Sequence, residues 1–481
     1  MSLGSKLPFR LVPRTQWSLA PFGFGGYRVS ARTSSHRSAL KKAIRLGCNV
    51  VDTSSIYSDG DSELLFGQVV RELVDKEDIK REEVVIITKA GYLSEKAEHN
   101  RSSAPSYSDK DVDHVSPGLD YSLSPRVLED QISASLERLG MERVDLLMLH
   151  NPEQLLEVHP HLGPAFYELV SKAFAHLEKE VQRGRIQYYG VSSNTLAVPS
   201  SSPDHVCVDK LVQAANSVSE KNALAAVQYP FNLIESEVLT EGVSAKAKAH
   251  GLIRFSNRPL NAVYEGKLQR IATFPSHDGT PPTSGTDKDL VQLLKEAFDY
   301  AIHLEKNYPG ADKASLPPAS DYAWAQILAH NQATLGTIDR WVNALESTIL
   351  PSYEPAIARL EDHAQLRSWG DKYRVAIARL FERFTWVNEA NASKNSEQLT
   401  LAADATWPEL NERGMATLSQ KALLAARSSD VADCVLVGMR RATYVREVLL
   451  NVGPSAAVDT ASDPARYAQF AAELQKAKAG P

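Results

Sequence analysis

Three apolar runs in the first part of the chain each end on an ionisable residue: NVVDTS carries Asp52, VVIITK ends on Lys89 and DLLMLH ends on His150. A lone tyrosine, Tyr57, follows Asp52 in a polar stretch. Taken singly, each has an ordinary structural reading. An Asp after a strand caps a turn, a strand-end lysine lays its stem along apolar surface, and a histidine there is hydrogen-bonded in the core. Taken together, Asp, Tyr, Lys and His make a proton-transfer set. A phenol keeps its proton to pH ~10 and is a poor acid or base near neutrality without help. A neighbouring ammonium favours the phenolate and lowers that pKa, and an Asp keeps the Lys charged and placed. The His orients a carbonyl and shares in proton delivery.

Such a set works only if the run ends share one rim. From residue 18 to 260 the apolar runs APFGFG, CNVVDTS, EVVIITK, VDLLMLH, IQYYGVSS, LAAVQYP and GLIRFSN alternate with amphipathic stretches such as HRSALKKAIRLG and SPRVLEDQISASLERLG. Several of these stretches stop at Gly just before the next run, the expected helix C-terminus. The alternation predicts an α/β protein with a parallel sheet and helices outside it. CVLVG at 434–438 supplies an eighth run. Eight strand–helix units predict a closed (β/α)8 TIM barrel, in which the C-terminal ends of strands two, three and four are neighbours around one mouth. The count alone leaves an open doubly wound sheet possible. No GxGxxG follows the first run, however, since FGFGG is too short and leads into a polar loop.

The predicted organisation is 1–284 for the first part of the barrel, 285–405 for a helical insertion between strands seven and eight, 406–455 for the end of the barrel and 456–481 for a C-terminal tail. The insertion has no fixed repeat and no sustained heptads. It is expected to serve as a lid, an oligomer interface through which the chain self-associates, or an outer buttress. A second excursion, 93–122, is polar, Ser/Asp-rich and follows the third run, which places it on the rim; it is the stronger lid candidate.

Composition narrows the class. Hydrophobic residues make up 43% and charged residues 23%, the balance of a soluble globular protein. A net charge of -6 argues against nucleic acid or an anionic membrane as main partner, and no stretch approaches the ~18 apolar residues of a membrane span. Cys48, Cys207 and Cys434 form no CxxC, which suits a reducing compartment and gives no metal or disulfide pattern. The basic, serine-rich segment before Asp52 has no acid and is similar to a mitochondrial transit peptide. Because SLAPFGFGG at 18–26 already reads as strand and turn, a cytoplasmic location is expected.

GCNVVDTSSIYSDGDSELLFG resembles the signature of the aldo-keto reductases, in which Gly, Asp, Tyr, Glu and Gly recur at this spacing. Lys89 in VVIITKAG and His150 in DLLMLHNPE fit that family's Lys and His positions, and the resemblance continues through RGRIQYYGVSSN, AVQYPFNLIES and LVGMRRATYVREVL. It implies a reversible NAD(P)H-dependent oxidoreductase acting on a small carbonyl or alcohol. Tyr57 would be the general acid, assisted by Lys89, Asp52 and His150, with Glu63 and Gly67 supporting the helix start and its packing. The nicotinamide carboxamide would meet Ser192, Gln228 and either Ser193 or Asn194; the family often has Ser followed directly by Asn. Gly438 and Arg440 stand at a Gly-x-Arg turn beside the adenosine phosphate, where a glycine admits backbone amides and an arginine pairs with the anion. Arg440 with Arg441 favours NADP(H), with NAD(H) possible.

Two departures from the family pattern stand out. RFSNRPLNA places Asn257 at or near the position of an aromatic that usually stacks on nicotinamide, and Arg258 in place of a Ser. Phe255 or a loop tyrosine is the candidate replacement stack. Tyr444 and Val448 replace polar family positions. A second class of function, a cofactor-binding regulatory or scaffold subunit on the same fold, accommodates the insertion and the missing aromatic.

Overall fold

The structure is a computed structural model and describes residues 7–94, 107–108, 110–264, 267–274, 287–310, 315–455 and 457–479. Each apolar run becomes a short strand: β1 Phe22–Gly25, β2 Val50–Asp52, β3 Val85–Ala90, β4 Val144–His150, β5 Ile186–Ser192, β6 Leu224–Pro230, β7 Ile253–Asn257 and β8 Cys434–Val437. Neighbours in the chain pair in parallel and β8 pairs with β1, so the sheet closes into a barrel. This is the (β/α)8 architecture that the alternation predicts. Nearly continuous burial along the strands is what a sheet covered on both faces requires.

The helices α1 Ser34–Arg45, α2 Asp61–Asp75, α3 Pro125–Leu139, α4 Ala165–Gln182, α5 Val208–Val218, α6 Val243–Ala249 and α7 Leu418–Ser428 lie between strands in the chain, and α8 Ala442–Arg446 follows β8. Their local signals are read directly from the residues. Pro125 starts α3, where its missing N–H would be unpaired in any case. Gly140 ends that helix in the left-handed region at φ 61. Gly67 is needed for a different reason: a Cβ on it would stand 1.9 Å from the Leu139 carbonyl oxygen, so it sets the contact of α2 with the end of α3.

The barrel interior is layered. Val50, Ile87, Met148, Ala226, Phe255 and Leu436 belong to one buried apolar cluster, which Val12 and Leu19 of the N-terminal hairpin Arg10–Val12/Trp17–Leu19 also join. Side chains two residues apart on a strand share a face. Two residues toward the C-terminal end, that face therefore carries Asp52, Lys89, His150, Gln228, Asn257 and Gly438. An apolar plug lies beneath and a polar ring above. Phe255 is fully buried in the plug.

Two segments differ from a plain loop. Within the polar 93–122 excursion, Tyr92–Ser94, Asp113–Ser116 and Leu119–Tyr121 form a three-stranded antiparallel sheet, because the chain returns with alternating half-buried residues. Residues 95–106 and 109 of that excursion lie outside the described residues. After β7, Asn261–Tyr264 and Lys267–Arg270 form a hairpin.

A second compact unit comprises Ala272–Leu401, and the rest of the chain forms the first. The second unit is helical and has its own core, in which Trp341, Tyr322, Tyr373, Phe381 and Trp369 pack together. Glu305, buried there, accepts from the Tyr373 hydroxyl at 2.9 Å and the Ala325 amide at 2.6 Å. Among the described residues, no helix is long and apolar enough to cross a membrane.

Candidate active site

Asp52, Lys89 and His150 end three successive strands, and the parallel register sets their heights: Asp52 lies opposite Ile87 and Lys89 opposite Met148. Lys89 is fully buried and uses all three ammonium hydrogens. Nζ donates to Asp52 Oδ1 at 2.6 Å, to the Thr53 carbonyl at 2.9 Å and to the Tyr57 hydroxyl at 3.4 Å. Tyr57 reaches it from a single 3₁₀ turn, Tyr57–Gly60, in which Ser58 and Asp59 are left-handed at φ 51 and 55. Non-glycine residues held there cost about 1–2 kcal/mol each, strain of the sort that collects at functional sites. The His150 ring stands edge-on to Tyr57 at 5.8 Å between centroids, and its Nδ1 is 3.1 Å from the Ser54 hydroxyl.

Glu63, fully buried at the start of α2, accepts from Arg138 Nε at 2.6 Å and from the Thr88 hydroxyl. It ties α2 to β3 and α3 beside Lys89 and is a support for the set.

Electrostatics correct one expectation. A neighbouring Lys89 alone predicts a lowered Tyr57 pKa, but burial pushes the phenol well above its usual value, and Asp52 and Tyr27 push it further. Burial also pulls the Lys89 ammonium below its usual range, against the pull of Asp52. Burial and then the Lys89 charge hold His150 well below the usual histidine range. The ring is therefore neutral near pH 7, and a Ser54 hydroxyl that donates to Nδ1 leaves its proton on Nε2. This arrangement holds a proton on Tyr57 and keeps a neutral imidazole beside it.

The other side of the mouth is neutral. His150, Ser192 and Gln228 are register partners across β4, β5 and β6. Gln228 Oε1 accepts from Ser192 Oγ and from Asn257 Nδ2, both at 3.0 Å, and its Nε2 donates to Asp52 Oδ1 at 3.0 Å. Asn257 Oδ1 is buried with no partner, an orphan acceptor. Ser193 is turned back: its hydroxyl accepts from the Thr195 amide at 3.1 Å, while Asn194 is exposed. Arg258 does not join the amides. Its backbone is left-handed at φ 54, and its guanidinium pairs with Glu235 at 2.8 Å.

At the end of β8 a Cβ on Gly438 would meet nothing within 4 Å, so the backbone is open there. Arg440 and Arg441 sit close enough to His36 that, after burial, their charges lower its pKa. Arg441 also lies over the Tyr444 ring at 5.8 Å, and Val448 is buried. An orphan amide oxygen, an open glycine backbone and a basic cluster fit the chemistry of a nicotinamide dinucleotide, whose carboxamide calls for amide partners and whose phosphates call for cations.

Several site residues escaped the sequence reading. Tyr27 and Tyr92 stand edge-on to Tyr57 and His150 at 5.6 and 5.1 Å. Each is the first aromatic after a strand end with glycine before it, and that position was the available signal. Glu153 is nearly fully buried; its Oε1 accepts from the Asn194 amide at 2.7 Å while Oε2 has no partner. Burial raises its carboxyl to about 7. Its position in HNPE, directly after a strand end, was the clue.

A profile of the Aldo/keto reductase family matches residues 21–298, more than half of the chain. The chain belongs to the aldo/keto reductase family. It is 29% identical over 190 residues to a putative voltage-gated potassium channel subunit beta of Schizosaccharomyces pombe, covering 39% of this chain and 45% of that protein. It is likewise 29% identical over 154 residues to the NADH-specific methylglyoxal reductase of Escherichia coli, covering 32% and 40%. The chain thus spans less than half the length of these two relatives. A D-threo-aldose 1-dehydrogenase of a Pseudomonas species is 25% identical over 323 residues, 65% of this chain and 88% of that protein. Among solved structures, a glycerol dehydrogenase of Gluconobacter oxydans aligns over 100% of this chain and 98% of its own, at 14% identity and a TM-score of 0.48.

Proposed function

We propose that this aldo/keto reductase interconverts a small aldehyde or ketone with its alcohol, using NADP(H) and Tyr57 as the proton donor and acceptor. The observation that carries this is Lys89, whose one ammonium lies 2.6 Å from Asp52 Oδ1 and 3.4 Å from the Tyr57 hydroxyl. The reduced nicotinamide, when bound, supplies a hydride to the carbonyl carbon. Tyr57 gives its hydroxyl proton to the carbonyl oxygen, so C=O becomes C–O–H and the phenol becomes phenolate. Lys89 Nζ stabilises that phenolate, and Asp52 Oδ1 keeps the ammonium charged against burial. His150 donates from Nε2 to the same oxygen and polarises the carbonyl. Solvent then restores the Tyr57 proton, and oxidation runs the sequence backward.

Ser192, Gln228 and Asn257 would hold the carboxamide, and Gly438, Arg440 and Arg441 the adenosine phosphates. Two adjacent arginines beside His36 favour NADP(H), while NAD(H) is compatible with the rest of the mouth. Tyr27 and Tyr92, which stand edge-on to Tyr57 and His150, would flank the substrate end. The test is NADPH consumption, followed at the reduced-nicotinamide absorbance, with a panel of aldehydes and ketones. Turnover supports the proposal. Tight NADPH binding with no turnover of any carbonyl favours the second reading, a cofactor-binding subunit, for which the similarity to a potassium channel beta subunit speaks.

A further inference from the structure

Asn257 stands where a flat ring would be expected, and the structure puts its amide to a different use. Gln228 has an amide that is symmetric in shape and opposite in polarity at its two ends, so something must fix which end faces Asp52. Two donors converge on Oε1, Ser192 Oγ and Asn257 Nδ2, each at 3.0 Å. With Oε1 taken up in this way, Nε2 points at Asp52 Oδ1, 3.0 Å away. The same Oδ1 receives Lys89 Nζ at 2.6 Å. Gln228, Ser192, Asp52 and Lys89 are all almost fully buried. Reversing the Gln228 amide there would set its carbonyl against the carboxylate and an N–H against the Asn257 amino group. Each unsatisfied buried group of this kind disfavours the reversed amide.

We propose that Asn257 is a positioning residue: it orients the Gln228 amide, and Gln228 in turn holds Asp52 against Lys89, so that the amide side and the proton-transfer side of the mouth act as one hydrogen-bonded unit. This rests on the function proposed above and names a residue that adjusts it. The Asn257 side chain also keeps one acceptor, Oδ1, buried without a partner. That oxygen matches the amino group of a carboxamide, so a nicotinamide bound there draws on the same side chain that steers Asp52. An aromatic residue in its place could stack on the nicotinamide but would leave Gln228 Oε1 with only Ser192.

The test compares Asn257→Ala, Asn257→Asp and Asn257→Ser with wild type and with Tyr57→Phe. The readouts are kcat, the kcat–pH profile, NADPH Kd by fluorescence and thermal melting. Asp removes the donor and offers Gln228 Nε2 a competing carboxylate, drawing the amide away from Asp52. Loss of one neutral hydrogen bond predicts a fall in kcat of about 10-fold for Ala. Asp should fall further, and Ser, which keeps a hydroxyl donor, should recover part of the loss. The profile should also move in Ala and Asp, since the Lys89–Tyr57 pair is faced by Asp52, Glu63, Tyr27 and His150 and loses one restraint on Asp52. If Ala fails to fold, Asp against the wild-type Asn, nearly equal in size, carries the same comparison. Wild-type kcat and pH profile in Ala or Asp, alongside an inactive Tyr57→Phe, would overturn the proposal and leave the proposed function standing. An active Tyr57→Phe would overturn the function instead.

Discussion

The two sides of the barrel mouth are built on different chemistry. The side formed by β2, β3 and β4 carries buried ionisable groups, Asp52, Lys89 and His150, of which Asp52 and Lys89 form an ion pair at 2.6 Å. The side formed by β5, β6 and β7 carries neutral groups, Ser192, Gln228 and Asn257, joined at 3.0 Å. Charged groups in a low dielectric interact strongly and tolerate few arrangements. Neutral amides pair in many ways, and each pairing contributes only about 0.5–1.5 kcal/mol net. The ionisable side should therefore fail steeply when altered, and the neutral side by degrees.

The steepest failure expected short of losing Tyr57 itself is at Lys89. Lys89→Met removes the charge beside the phenol and should lower kcat about 10³-fold with NADPH affinity retained, measured by steady-state kinetics and fluorescence titration. A loss under 10-fold would erase the difference between the sides.

Titration sharpens the comparison next. Tyr57 is held well above its usual pKa and His150 well below its own. Both keep their working protonation states through neutrality, so kcat for carbonyl reduction should stay level from about pH 6 to 9. The rate of alcohol oxidation, which needs Tyr57 without its proton, should climb with pH. A fall in reduction centred on the ordinary histidine pKa, ~6.5, would contradict the burial of His150.

Glu153, packed against the neutral side, gives a smaller effect read in stability. Burial raises its folded pKa to about 7, above the 4.5 of a free carboxyl. The folded chain thus binds more protons than the unfolded one between those values, and stability falls as pH rises through them. Glu153→Gln keeps an acceptor for the Asn194 amide and should be more stable than wild type at pH 8, by on the order of 3 kcal/mol. At pH 4, where the wild-type carboxyl is protonated folded and largely so unfolded, the two should melt alike. Arg258→Ala should move least. Its guanidinium is already paired with Glu235, and its removal should change NADPH affinity less than about 3-fold, the scale of a partly exposed ion pair.

What the residues reveal in advance follows the same division. Lys89 and His150 were legible because a two-residue period over an apolar run leaves one face for the final charged side chain. The barrel followed from the same alternation. The inward turn of Asn257 is set by register with its neighbours, and Arg258 leaves the mouth because its backbone is left-handed, which no motif marks. The Ser54–His150 contact spans two strands' worth of chain. Tyr27 and Tyr92 depend on loop paths, and the small sheet of Tyr92–Tyr121 forms from a stretch whose polarity reads as open loop. The lowered Tyr57 pKa expected from Lys89 failed because sequence spacing carries no measure of burial.

The central claim is that Tyr57 delivers the proton. Single-turnover reduction by Tyr57→Phe, with NADPH binding measured on the same sample, tests it most directly. Removing a positioned general acid should slow the chemical step by about 10³-fold or more, with NADPH Kd within about 3-fold of wild type. Hydride transfer at the wild-type rate in that variant would contradict the account.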